Sequence, residues 1–162
     1  IAPALIKEIP HCTFILSNKE YNKYQEMGYN MNKIKAILHN KVLFEMKKRQ
    51  PSYDKIVVDQ FVYPAKYFEH IKEAHEKVTD IDFTTKAESK CASVAVSSCI
   101  SRYIFLLKMN ELSDELHTPI LKGAGEDVDK LAASIVSQYG EEKLKEVAKL
   151  NFKNTEKLKN YL

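Results

Sequence analysis

Residues 55–105 constrain the fold more than any other stretch, because two short apolar runs flank a proline-started helix and each leads to a single acidic residue. Lys55-Ile56-Val57-Val58-Asp59-Gln60-Phe61 reads as a short buried strand that ends in a carboxylate. Pro64 suits the first turn of a helix, where its missing N–H has no intrahelical use, and Tyr67, Phe68 and Ile71 fall on the face to be buried. Residues 81–85 are a further strand candidate. Thr84-Thr85-Lys86-Ala87-Glu88-Ser89-Lys90 leaves that strand and opens a helix beginning Cys91-Ala92-Ser93. This helix is expected to reach about residue 116, with a bend near Leu112-Ser113. Open α/β sheets carry their chemistry at the carboxyl ends of strands, so Asp59 is a candidate metal ligand and Glu88 a second.

The flanking segments continue the alternation. Residues 11–16 form a strand candidate, and Ser17-Asn18-Lys19-Glu20 has the capping-box pattern that starts a short helix ending near Gly28. Asn30 or Asn32 then caps a longer helix, with Ile34, Leu38, Val42 and Met46 along one face until Gln50-Pro51-Ser52 breaks it. Strands and helices in turn predict an α/β fold. After His117 the character changes. Residues 119–125 read as an irregular loop, and Val128, Leu131, Ala132, Ile135 and Val136 mark an amphipathic helix stopped by Gly140. Leu144, Val147, Ala148, Phe152, Leu158 and Tyr161 continue the helical pattern. The expected organisation is a partial catalytic core over residues 1–117 and a helical appendage of the same domain over residues 118–162.

At 162 residues the chain suits one sizeable core. It opens Ile1-Ala2-Pro3-Ala4 in mid-element, without an initiator Met or a signal-peptide pattern, and is expected to be part of a larger protein. No apolar run approaches the roughly 18 residues that span a bilayer. Three cysteines, Cys12, Cys91 and Cys99, show no CxxC pairing and fit reduced thiols in the cytoplasm. The balance of 25 basic and 22 acidic residues is too mild to announce nucleic-acid binding, and Lys47-Lys48-Arg49 reads as a solvated helix surface.

Five segments then fall in order: Gly28-Tyr29-Asn30-Met31-Asn32-Lys33; Val58-Asp59-Gln60-Phe61; Thr85-Lys86-Ala87-Glu88-Ser89-Lys90; Ser98 with Arg102-Tyr103; and Lys122-Gly123-Ala124-Gly125. Together they resemble the C-terminal part of bacterial ribonuclease HIII, a type 2 ribonuclease H. The Asp-Gln-Phe and Lys-Ala-Glu-Ser-Lys pair at its spacing is the specific signal, and each segment alone is weak. The resemblance implies an RNase H-like mixed sheet flanked by helices, in a fragment lacking the N-terminal strands. It implies an endonuclease that cuts the RNA strand of RNA–DNA hybrids, monomeric and without a membrane partner. Such enzymes hold Mg²⁺ or Mn²⁺ with an Asp-Glu-Asp-Glu set, of which Asp59 matches the third member and Glu88 the fourth. The first two carboxylates, and a small substrate-binding domain, are expected in the missing N-terminal half. Carboxylates suit this chemistry because hard divalent ions prefer oxygen ligands and offset charge on the phosphate. Glu88 also stands near the positive end of the helix that follows it.

Lys86, Ser89, Lys90 and Ser98 are expected along the phosphate path, and Asn30 and Asn32 at a helix start suit either a backbone phosphate or plain capping. Arg102 lies roughly 21 Å along the helix from Glu88, so an ion pair suits it better than the same phosphate. Asp54, Asp80 and Asp82 read as solvated, and the five histidines as structural or surface residues. Cys91 stands where the family has His. Ala124 stands where sister ribonucleases HII carry a Tyr that packs on the sugar of an RNA–DNA junction, which favours extended hybrids over single embedded ribonucleotides. The alternatives are a ribonuclease HII-type junction endonuclease, a non-catalytic nucleic-acid-binding module, and a helical adaptor, against which the Val57-Val58 strand argues.

Overall fold

In a computed structural model, which describes residues 1–152 and Tyr161, the chain forms α1 (Ala2–Glu8), α2 (Asn18–Glu26), α3 (Met31–Arg49), β1 (Ile56–Asp59) and α4 (Pro64–His70). It continues with β2 (Ile81–Thr84), a 3₁₀ turn (Ala87–Ser89), α5 (Ala92–Glu115), α6 (Glu126–Tyr139) and α7 (Glu141–Val147). Two compact units result: Ile1–Phe14 with Asn30–Phe105, and Ile15–Tyr29 with Leu106–Leu162.

In the first unit β1 and β2 pair in parallel, with Ile56 opposite Ile81 and Asp59 opposite Thr84. Parallel neighbours need a crossover, and α4 supplies it. Alternate residues Ile56 and Val58 of β1 are buried. Ala36, Tyr67 and Ile71 form the buried centre of the core, with Phe61, Phe68 and Phe83 packed on it. Tyr67 meets Phe83 and Phe68 edge-on, with ring centroids 5.0 and 5.4 Å apart, the arrangement that ring quadrupoles favour. Buried Asn40 on α3 pins the approach to β2: its Nδ2 donates to the Glu76 carbonyl at 2.7 Å, and its Oδ1 accepts from Val78 N–H at 2.9 Å.

In the second unit Leu116, Ala133, Ile135 and Leu144 are buried together. Gly140, at φ 85° and ψ 167°, turns α6 into α7 through a conformation that a side chain would strain. Ser17 and Glu20 complete the capping box at the start of α2. Asn22, buried on α2, donates to the carbonyls of Lys145 and Ala148 and accepts from Leu150 N–H, closing the C-terminal end of α7.

Several expectations are corrected. Residues 11–16 are irregular. The His11 carbonyl accepts from Arg49 Nη1 at 3.2 Å and Phe14 lies under Lys41 Nζ at 4.1 Å, so side chains of α3 take the place of a strand ladder. On α3 the buried residues are Ile34, Ala36 and Asn40, while Leu38, Val42 and Met46 are half-buried. α5 runs through Leu112-Ser113 as one helix, with Ser113 Oγ bonded to the Met109 carbonyl. α7 stops at Val147, since Ala148 is extended, and Phe152 is exposed; Leu158 lies outside the described residues. Asp80 is not merely solvated: its carboxylate accepts from Lys47 Nζ at 2.9 Å and from the Tyr53 hydroxyl at 2.7 Å. α5 is also long and apolar enough, by length and composition, to cross a membrane, where the sequence promised no such run. Ile100 is its one buried residue within the described chain.

Candidate active site

Asp59 ends β1, and the ladder extends one residue further as Gln60 N–H donates to the Thr84 carbonyl at 3.0 Å. On the neighbouring strand the chain passes Thr85 and reaches Lys86, which adopts the left-handed conformation, φ 53° and ψ 45°. That residue reverses the backbone into the 3₁₀ turn that carries Glu88. The fully buried Ala87 then points its N–H at Asp59, and Oδ1 accepts it at 2.8 Å.

The turn is held from several sides. Ser89 Oγ donates to the Lys86 carbonyl and Lys90 Nζ to the Thr85 carbonyl, both at 2.8 Å. Cys91 N–H donates to the Ala87 carbonyl at 2.8 Å, and the Cys91 carbonyl accepts from Val94 and Ala95 as α5 begins. The Cys91 thiol lies 3.2 Å from Ser93 Oγ, and this hydrogen bond, with the nearby Val94 N–H, lowers its pKa from the ordinary thiol value. The Glu88 side chain is exposed and, like Asp59 Oδ2, takes no hydrogen bond among the described residues.

Lys86, Glu88, Ser89 and Lys90 therefore share one turn against Asp59. Ser89 and Lys90 spend polar atoms on the carbonyls of that turn. Ser98 is exposed on α5. Asn30 caps α3 by accepting from Lys33 N–H at 2.9 Å, and Asn32 is exposed in the first turn of that helix. Arg102 forms no ion pair among the described residues; its guanidinium lies 5.2 Å from the centre of the Phe105 ring, its neighbour one turn on. α3 leans on the segment after Asp59, where Phe61 sits 5.1 Å from the His39 ring and 5.6 Å from Lys35 Nζ. Burial, and then the Lys35 charge, lower the His39 pKa from 6.5, which suits a neutral core ring.

No three of His, Cys, Asp and Glu gather into a metal cluster among the described residues. Asp59 and Glu88 nonetheless suit a hard divalent ion, since both present carboxylate oxygens free of other hydrogen bonds among the described residues. The residue that sequence reasoning missed is Ala87. Its contribution is a backbone N–H, for which an alanine gives no sequence signal.

A family profile described as Ribonuclease HII matches residues 1–155. A ribonuclease HIII of Bacillus pumilus is 44% identical over 168 residues, covering 100% of this chain and 53% of that protein. One from Bacillus velezensis is 41% identical over 161 residues, covering 98% and 51%. Among solved structures, Bst-RNase HIII in complex with Mn²⁺ superposes with a TM-score of 0.95 at 37% identity, covering 99% of this chain and 53% of that one. Aquifex aeolicus RNase H3 gives 0.60 at 30% identity, covering 83% and 46%. The chain spans about half the length of the curated relatives it matches.

Proposed function

The chain belongs to the ribonuclease HII family, and from that membership we propose that it is the C-terminal part of a ribonuclease HIII catalytic domain, acting on the RNA strand of RNA–DNA hybrids. The observation that carries the reading is the hydrogen bond from Ala87 N–H to Asp59, which ties one strand-end carboxylate to the turn bearing the other. Asp59 and Glu88 would hold Mg²⁺ or Mn²⁺, and the relative crystallised with Mn²⁺ supports this. A divalent ion so held offsets charge on the phosphate and activates water for hydrolysis of the phosphodiester. The further carboxylates would come from the rest of a longer chain.

The substrate contacts we assign to Lys86, Ser89, Lys90, Ser98, Asn30 and Asn32 are polar and accessible in varying degree. α3 adds cationic side chains, Lys33, Lys35, Lys41, Lys48 and Arg49, besides Lys47, which pairs with Asp80, and its one acidic residue is Glu45. Such a surface suits a phosphate backbone. Three free thiols fit a reducing cytoplasm, where we place the enzyme as a monomer. Residues 118–162 are read as an appendage of the catalytic domain.

The test is Asp59→Asn and Glu88→Gln in the full-length protein, assayed on an extended RNA–DNA hybrid. Asn keeps an oxygen for the Ala87 amide while removing the charge, so cleavage should fall on the order of 10³-fold with hybrid binding and melting temperature retained. Raised Mn²⁺ should partly restore Glu88→Gln. Wild-type turnover by the folded Asp59→Asn enzyme would refute the assignment. Run on a duplex with one embedded ribonucleotide, the same assay separates the two branches of the family: with Ala124 in the glycine loop, the extended hybrid should be cut better.

A further inference from the structure

The left-handed residue at the exit of β2 is a lysine, and this is unexpected. Outside glycine, the conformation is adopted chiefly by Asn and Asp, whose short polar side chains bond locally; a lysine side chain offers no such bond. Lys86 nevertheless sits at φ 53° and ψ 45°. The surroundings over-determine it: Ser89 Oγ and Ser89 N–H both bond its carbonyl, and Lys90 Nζ bonds the carbonyl just before it. Strained backbone maintained by several independent bonds is the pattern found where a site needs a particular geometry.

We propose that Lys86 is a positioning residue whose left-handed backbone, separately from its ammonium group, aims the Ala87 amide at Asp59 and fixes the turn that carries Glu88. The proposal rests on the reading of Asp59 and Glu88 as the metal-holding pair. An extended or right-handed residue 86 would rotate the next peptide and carry its N–H away from Oδ1, which it meets at 2.8 Å. The Asp59 carboxylate would then lose the one hydrogen bond it accepts among the described residues, and Glu88 would leave with the turn. β2 alone does not fix this relation, because the ladder ends with the Gln60–Thr84 bond.

The experiment compares Lys86→Gly, Lys86→Asn and Lys86→Val in the full-length protein. All three remove the ammonium, but Gly and Asn accept the left-handed region and Val resists it. The readouts are Mn²⁺ affinity by calorimetry, amide exchange at Ala87, and kcat and KM on an RNA–DNA hybrid. Lys86→Gly and Lys86→Asn should keep the Mn²⁺ affinity and a protected Ala87 amide. Lys86→Val should bind Mn²⁺ about tenfold more weakly, expose that amide, and lower kcat relative to Lys86→Gly with a similar KM. Should Lys86→Val fail to accumulate, Lys86→Thr, also β-branched, serves in its place with a smaller effect in the same direction. A valine or threonine variant equal to the glycine variant in Mn²⁺ affinity and Ala87 exchange overturns the proposal. If Lys86→Val frees the Ala87 amide while Asp59→Asn leaves Mn²⁺ binding untouched, the positioning role stands and the metal assignment fails instead.

Discussion

Replacing Asn40 by Ala tests whether the approach to β2 is held as the structure indicates. Asn40 is buried in the third turn of α3 and makes two bonds to a segment some 36–38 residues away in sequence, to the Glu76 carbonyl and the Val78 amide. The Val78 bond is buried, and an unpaired buried N–H costs about 1–3 kcal/mol. The Glu76 bond is only partly buried, so water can recover some of it, leaving about 0.5–1.5 kcal/mol. Alanine is the better helix former and returns up to about 0.7 kcal/mol. The net expectation is a loss of about 2–3 kcal/mol. With a urea dependence near 2 kcal/mol per molar, the midpoint should fall by roughly 1–1.5 M. Amide exchange at Val78 should rise with it. Asn40→Asp keeps an acceptor for Val78 but loses the donor to Glu76, which makes it a check on the direction of each bond. A change below about 0.5 kcal/mol in Asn40→Ala, with Val78 still protected, would show that packing and not these bonds holds the segment.

Tyr67→Phe should act in the opposite sense. The Tyr67 hydroxyl is buried without a hydrogen-bond partner among the described residues, and burial pushes its pKa up to about 12, so deleting the oxygen should be neutral or stabilise by about 1 kcal/mol; a lowered urea midpoint would reveal a partner for that group. The Asp80 clamp predicts an acid dependence. Hydrogen bonds from Lys47 and then Tyr53 lower the Asp80 pKa from 3.8 to about 2, so its contribution is complete above pH 4 and fades as pH falls from about 4 to about 2. Asp80→Asn should flatten the unfolding midpoint across that window, and an unchanged pH profile would count against the clamp.

Much of the fold was legible because its signals are local. Ser17 and Glu20 stand at the spacing that lets each satisfy the other's backbone, and both halves of that box form. Ile56-Val57-Val58 has neither the period nor the length of a helix, and it becomes β1. Gly140 stops α6 where a left-handed residue was needed. The failures share one cause, dependence on partners distant in sequence. Residues 11–16 have strand composition, but a strand needs a neighbour, and here the contacts of this segment are with Arg49 and Lys41 of α3. The Asp80 carboxylate looked solvated because Lys47 and Tyr53 lie 33 and 27 residues away, beyond any spacing rule.

The site shows the same division more sharply. Asp59 and Glu88 stood out as candidates because a carboxylate at a strand end and one ahead of a helix are positions where metal chemistry would need those residue types. The bond that joins them was not, because it runs through the peptide N–H of Ala87, which every residue but proline could supply. What selects that N–H is the backbone of Lys86, and a lysine in sequence suggests a charge for phosphate well before it suggests a left-handed turn. The structure gives both parts of the residue something to do: an exposed ammonium, and a φ of 53° that reverses the chain. Ser89 and Lys90 divide in the same way, since each was read as a substrate contact and each bonds a carbonyl of the turn. A run of polar residues beside two carboxylates therefore does not separate groups that touch substrate from groups that shape the turn. Comparing substitutions that remove a side chain with substitutions that forbid a backbone conformation does separate them, which is why Lys86→Gly and Lys86→Val should differ although both lack the charge.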